Sequence, residues 1–149
     1  MVRAAYSLPL VVVALVISAC SREAAAPAIS VEITSPTEGS TVTGSAVDIK
    51  LGVNGIELAP AAEARPGTAH HHLYLDVDFP GGEAAIPMGM AGVIHLGQAQ
   101  TEFHWDSLTP GQHRIIAVLA DPAHVPIRPF VTDTVTFTVV ALPDSGAKK

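Results

Sequence analysis

The chain has 149 residues, fourteen acidic against eight basic side chains, a formal net charge of −6 and 48% apolar composition. That length suits one domain with one core, and the acidic balance argues against nucleic acid as a partner, because phosphate binding draws on clustered lysine and arginine. With one cysteine there is no disulfide framework and no multi-cysteine metal site, so the seven histidines are the available metal-binding chemistry.

The first segment carries a targeting signal. Arg3 supplies a positive start, and Leu8 to Ile17 is an apolar run too short to span a bilayer comfortably. It ends in Ile17-Ser18-Ala19-Cys20, which resembles a bacterial lipobox. Residues 1–19 are therefore expected to be a lipoprotein signal peptide, Cys20 the lipidated residue, and 20–28 a small-residue tether. An ordinary secretory signal with an incidental cysteine is the alternative. The expected location is the bacterial cell envelope, anchored to membrane through lipid. Ser21 after the cysteine favours the periplasmic face of the outer membrane in a Gram-negative host. A monomer is expected, with no protein partner specified.

Residues 29–141 read as one all-β domain, and 142–149 as a polar tail. Ile29, Val31 and Ile33 alternate with polar residues before the turn Ser35-Pro36-Thr37-Glu38-Gly39. Val47, Ile49, Leu51 and Val53 alternate likewise. An irregular stretch, 54–69, holds a potential helical turn, Ala61 to Ala64, bracketed by Pro60 and Pro66. In the strand at 71–78, His71, Leu73, Leu75 and Val77 form one face and His70, His72, Tyr74, Asp76 and Asp78 the other. Short strands follow at 93–97 and 101–106. After the turn Leu108-Thr109-Pro110-Gly111, the strand at 113–120 carries a nearly continuous apolar run, Arg114 to Ala120, that fits a central position, and 131–140 closes the domain. The pattern predicts an immunoglobulin-like β-sandwich of about seven strands. In that topology the loop before the third strand and the loop between the last two share one end. His70 to His72 and His124 are therefore expected to be neighbours, with His113 at the opposite end.

The candidate metal ligands are His70, His71, His72, His95, His124 and Asp121, with copper or zinc as the ion. Residues two apart on a strand point the same way at about 6.5–7 Å, so His70 and His72 can serve one ion while His71 points toward the core rim. His124 or Asp121 would complete a nitrogen and oxygen donor set. Binding is expected to be weaker than at a closed cysteine site, because a proline-rich loop must be ordered. It should weaken below about pH 6, as imidazole must be neutral to ligate. The competing view is a scaffold or interaction module whose histidines hold loop carbonyls. His95 fits a ligand or a half-buried group bonded to backbone. His104 fits a solvated position, as do Asp76 and Asp78, and His113 fits a structural role. Met88-Gly89-Met90 could hold copper(I) through thioethers or serve as an apolar plug. No Gly-x-Ser-x-Gly, phosphate-cradling loop or paired-cysteine motif is present, so an enzyme is not expected.

Seven pieces in order resemble a bacterial family of secreted and lipoprotein domains, the domain of unknown function 4399 family. They are Ser35-Pro36-x-x-Gly39, Gly67-Thr68-Ala69-His70-His71-His72-Leu73, Ile86-Pro87, Ile94-His95-Leu96-Gly97, Gln100-Thr101-Glu102, Leu108-x-Pro110-Gly111-x-His113 and Asp121-x-x-His124-Val125-Pro126. The resemblance spans about Val31 to Val140. The chain departs from the family pattern at Val93, Pro122 and Ile127, where histidine is frequent, and at Met88-Gly89-Met90, which replaces a polar segment. The resemblance implies a fold and a histidine-centred feature, reduced here to His70–His72, His95 and His124 or altered.

Overall fold

The computed structural model describes residues 27–143. The signal peptide and Cys20 lie outside the described residues, as does most of the polar tail. Nine strands follow in order: β1 (Ser30–Ser35), β2 (Thr41–Thr43), β3 (Val47–Asn54), β4 (Glu57–Leu58), β5 (Thr68–Leu75), β6 (Val93–Leu96), β7 (Glu102–Trp105), β8 (Gly111–Ala120) and β9 (Thr132–Val140). They make a three-stranded sheet, β1-β3-β7, and a six-stranded sheet, β2-β9-β8-β5-β4, in which β6 also pairs with β5. Two sheets packed face to face around alternating apolar residues are the immunoglobulin-like sandwich expected from the pattern. Beyond the expected strands lie β2 and β4, short segments pairing in parallel with β9 and β5. The Ala61–Ala64 segment forms a 3-10 turn, Ala61–Glu63, with Pro60 capping its start.

The core follows the period-two pattern. Val31 and Ile33 of β1, Val47, Ile49 and Leu51 of β3, Leu73 and Leu75 of β5, Ile115, Ala117 and Leu119 of β8, and Val135, Phe137 and Val139 of β9 meet between the sheets. Ile49, Leu73 and Ile115 are fully buried. Truncating any of these to alanine removes contacts worth about 2–5 kcal/mol.

The third predicted strand differs from expectation in extent. It begins at Thr68 and ends at Leu75, so the three histidines sit inside the strand rather than at its mouth. Its start is fixed on one side by β4, through Glu57↔Thr68 and Leu58↔Ala69, and on the other by β8, through His70↔Ala120. All eight residues are buried. Odd positions face the main core. Even positions face a second layer of Tyr74, Ile86, Val93, Val118 and Ala120, covered by the segments after β5 and β8.

The chain enters at a defined end. Ser30 pairs with Asn54, and Gly55 lies under the carbonyls of Pro27 and Ala28, where a Cβ would come within 2.8 Å and 2.7 Å of the two oxygens. Gly55 has φ +75, so glycine suits both the close approach and the backbone. This is the end of the sandwich at which β5 begins and β8 finishes.

His113 lies at the other end, near the start of β8. Its Nδ1 is 2.7 Å from an Asp76 carboxylate oxygen and its Nε2 is 2.8 Å from the Thr109 carbonyl. Both partners only accept hydrogen bonds, so the protonated ring, which donates from both nitrogens, is favoured. Burial lowers its pKa, but the bonds to Thr109 and Asp76 and the charge of Asp76 outweigh it, and the pKa is raised. The other carboxylate oxygen of Asp76 accepts from the Arg114 backbone N–H at 2.8 Å, and Arg114 pairs with Asp78 at 2.6 Å. Asp76 and Asp78, expected to be merely solvated, thus brace the chain as it leaves β5.

A raised folded-state pKa stabilises the fold most fully below the ordinary histidine value and loses that contribution as pH rises through the folded value. Asp76→Asn should therefore destabilise the domain by about 1–2 kcal/mol near pH 6, the lower range for a charged hydrogen bond because Asp76 is partly exposed. Denaturant unfolding at pH 6 and pH 9 checks this. The difference between variant and parent should shrink at the higher pH.

Candidate metal centre

The outer face of β5 presents His70 and His72, both with no exposed surface. His95 on β6 stands directly across from His72 in the ladder. His124 arrives from the segment between β8 and β9. One ligand-capable atom from each of these four lies within 4.8 Å of those of the other three. The six ring-centroid distances run from 4.8 to 5.7 Å.

Each ring is placed by backbone. His70 and His72 share a face because strand side chains alternate. Opposite His70 the ladder offers only Ala120, which leaves room for imidazole. The His95 ring lies over Gly97, and a Cβ at that position would overlap the ring. His124 has φ 66, a left-handed conformation that histidine adopts more readily than most non-glycine residues. Its N–H donates to Asp121 O at 2.8 Å, and its carbonyl accepts from Ile86 N–H at 2.9 Å. Asp121 Oδ1 accepts from the N–H groups of Ala123 and Val125, and Ala120 bridges to Pro126. The segment expected to be flexible is therefore tied at several points.

His70, His72, His95 and His124 form the cluster, while His71 and Asp121 stand outside it. His71 faces the core between the sheets, with Nδ1 3.0 Å from the Gln100 carbonyl. The Asp121 carboxylate shapes the turn that carries His124, and its charge favours a positive charge at His70. His104 is exposed and bonds Asp48 at 2.6 Å. Met88 and Met90 are 60% and 43% exposed, and Met90 lines an apolar recess with Tyr74, Phe79, Ile86 and Pro126. Gly97, present in the sequence only as part of the Ile94-His95-Leu96-Gly97 motif, is what gives the His95 ring its space. Its signal was the His95-Leu96-Gly97 spacing, in which a small residue two places on shares the histidine's face.

The electrostatics favour neutral rings. Burial, then the neighbouring His95 and His124, push His70 down to about 4. Burial, then His70, His95 and His124, push His72 down to about 3. His95 is lowered by burial and by His124. His70 Nε2 and His72 Nε2 lie 3.0 Å apart. His70 Nδ1, His72 Nδ1, His95 Nε2 and His124 Nε2 are buried without a protein partner. Orphaned buried polar atoms cost about 1–3 kcal/mol each. Four neutral imidazoles facing one another with unused lone pairs can coordinate a cation.

Lowered histidine pKa values mean that the unfolded chain takes up protons that the folded chain refuses. Metal-free protein should therefore lose stability as pH falls from about 6.5 toward 4. Urea unfolding with chelator present at pH 7.5, 6 and 5 measures this. His72→Phe should flatten the slope.

The model of a family described as Domain of unknown function (DUF4399) matches residues 49–140, a span that contains all four histidines. No curated protein matches the chain. Among solved structures, an engineered protein is 12% identical with a TM-score of 0.49, covering 78% of this chain and 21% of that one. This chain thus spans about a fifth of that protein's length. Fibronectin(III)-like modules of CbhA from Clostridium thermocellum are 15% identical with a TM-score of 0.48, covering 76% and 99%. The PKD domain of human KIAA0319 is 14% identical with a TM-score of 0.45, covering 81% and 88%.

Proposed function

The chain belongs to the DUF4399 family, and we propose that it is a lipid-anchored cell-envelope module that binds a copper or zinc ion without catalysing a reaction. The observation that carries this reading is the convergence of four imidazoles, one ligand-capable atom of each within 4.8 Å of the others, with Nε2 of His95 and of His124 buried without a protein partner. His71 also has a buried Nε2 without a partner, so the loop-holding and the clustered histidines are separated by the bonds that their rings do make. His71 and His113 bond to backbone carbonyls, as the scaffold reading expects, whereas none of the four clustered rings does so. The site draws its ligands from two strands and a braced turn, so little ordering cost opposes binding. Because burial already keeps His70 and His72 neutral well below pH 6, protons compete at those two ligands only at lower pH than the unperturbed value suggests.

Elemental analysis and calorimetric titration of the full chain, purified without a histidine tag or metal-affinity resin, test the reading. One equivalent of zinc or copper should bind. At a free-metal concentration 100 times Kd the folded state should gain about 2.7 kcal/mol. His72→Ala and His124→Ala should lower affinity by more than the roughly 10–100-fold typical of losing an outer-shell partner. Unchanged affinity with lowered thermal stability in both variants would instead favour loop-holding histidines.

Anchoring is tested separately. Among the described residues no helix is long and apolar enough to cross a membrane. Cys20→Ala should release the domain from membranes or leave an uncleaved precursor, read by fractionation and by the mass of the N-terminal peptide. Tight membrane retention of a processed variant would remove the lipid reading.

A further inference from the structure

We propose that the four-histidine cluster is a closed tetrahedral Zn(II) site that disfavours Cu(II) by geometry, an inference that rests on the metal-binding reading above and narrows it. With metal–nitrogen bonds of about 2.0–2.1 Å, each imidazole centroid stands about 3.2 Å from the ion, so a tetrahedron puts all six centroid pairs at about 5.2 Å. A square plane would put four pairs at about 4.5 Å and two trans pairs at about 6.4 Å, from the same bond lengths. Five of the observed distances lie between 4.8 and 5.0 Å and the sixth, His72 to His124, is 5.7 Å. No pair has trans spacing. The Nε2 atoms of His70 and His72 are 3.0 Å apart, near the about 3.3 Å edge of a zinc–nitrogen tetrahedron, while the four ligand atoms together lie within 4.8 Å, so the rings draw inward when the ion binds.

The scaffold resists flattening. His70 and His72 stand on a strand hydrogen-bonded on both sides and buried on both faces. His95 is fixed by its register against His72 and its seat on Gly97. Bringing four rings into one plane would require β5, β6 and the 121–126 turn to shift together. Four protein ligands complete a tetrahedron and leave no open position for water, the arrangement of a structural zinc. Imidazole nitrogen suits Zn(II), whereas Cu(I) favours thiolate and thioether sulfur. Unconstrained nitrogen donors bind Cu(II) above Zn(II), so a preference for zinc here would have to come from geometry.

The test uses the full chain, untagged, loaded with Co(II) as a spectroscopic probe. The expected result is intense tetrahedral ligand-field absorption that one equivalent of Zn(II) abolishes. One equivalent of Cu(II) should then fail to displace the zinc. Weak octahedral cobalt bands, or Cu(II) that displaces zinc with a tetragonal paramagnetic resonance spectrum, would overturn the tetrahedral inference while leaving metal binding intact. If none of the three ions binds, the metal-binding reading itself falls. His124→Ala removes a ligand from a turn and leaves the strands untouched, and Gly97→Ala displaces the His95 ring. Each should weaken cobalt binding by roughly tenfold or more and shift the cobalt bands as water takes the vacated position, with far-ultraviolet circular dichroism unchanged. A folded His124→Ala with the parent cobalt spectrum would also overturn the proposal.

Discussion

Burial of β5 on both faces is the constraint from which the rest of the architecture follows. Most strands here hide one face and show the other to solvent. In β5, Leu73 and Leu75 reach the main core while His70, His72 and Tyr74 reach a second layer. That second layer exists because the segments after β5 and after β8 fold back over the sheet. Ile86 N–H bonding to the His124 carbonyl stitches the two covers together. Polar rings placed in such a layer must find partners or remain neutral, and the chain arranges both outcomes in different places.

The two ends of the β5–β8 pair have opposite protonation preferences. At one end His113 meets a carboxylate and a carbonyl, and the protonated ring is favoured. At the other, His70 and His72 meet burial and further imidazoles, and the neutral ring is favoured. The same side chain therefore does two jobs within one ladder. The identity of the facing atoms decides which, since both His113 and His72 are buried.

The period-two alternation made the sandwich legible, and it assigned His70 and His72 to one face and His71 to the other. The shared end of two loops brought His124 to them and sent His113 away. Other features depend on pairing that alternation does not encode. His95 enters the cluster because β6 registers His95 against His72, and a one-residue slip would turn it to the other face. β2 and β4, at three and two residues, are too short to show a period. The cover over the outer face consists of irregular segments rich in glycine and proline, so the burial of β5's second face had no signature in the sequence. Asp121 was legible as a polar residue beside His124, but only the turn geometry shows its carboxylate committed to backbone N–H groups.

The entry of the chain under Gly55 gives the domain a polarity relative to whatever holds its N-terminus. Pro27 and Ala28 lie at the end where β5 begins, the end that carries His70 and His124. The stretch from Cys20 to Pro27, eight residues and seven Cα steps, reaches at most about 25 Å when fully extended. A lipid on Cys20, as proposed, would hold the sandwich on a short leash. The end carrying the imidazole cluster would then be the tethered end of the domain, and the His113 end the far one.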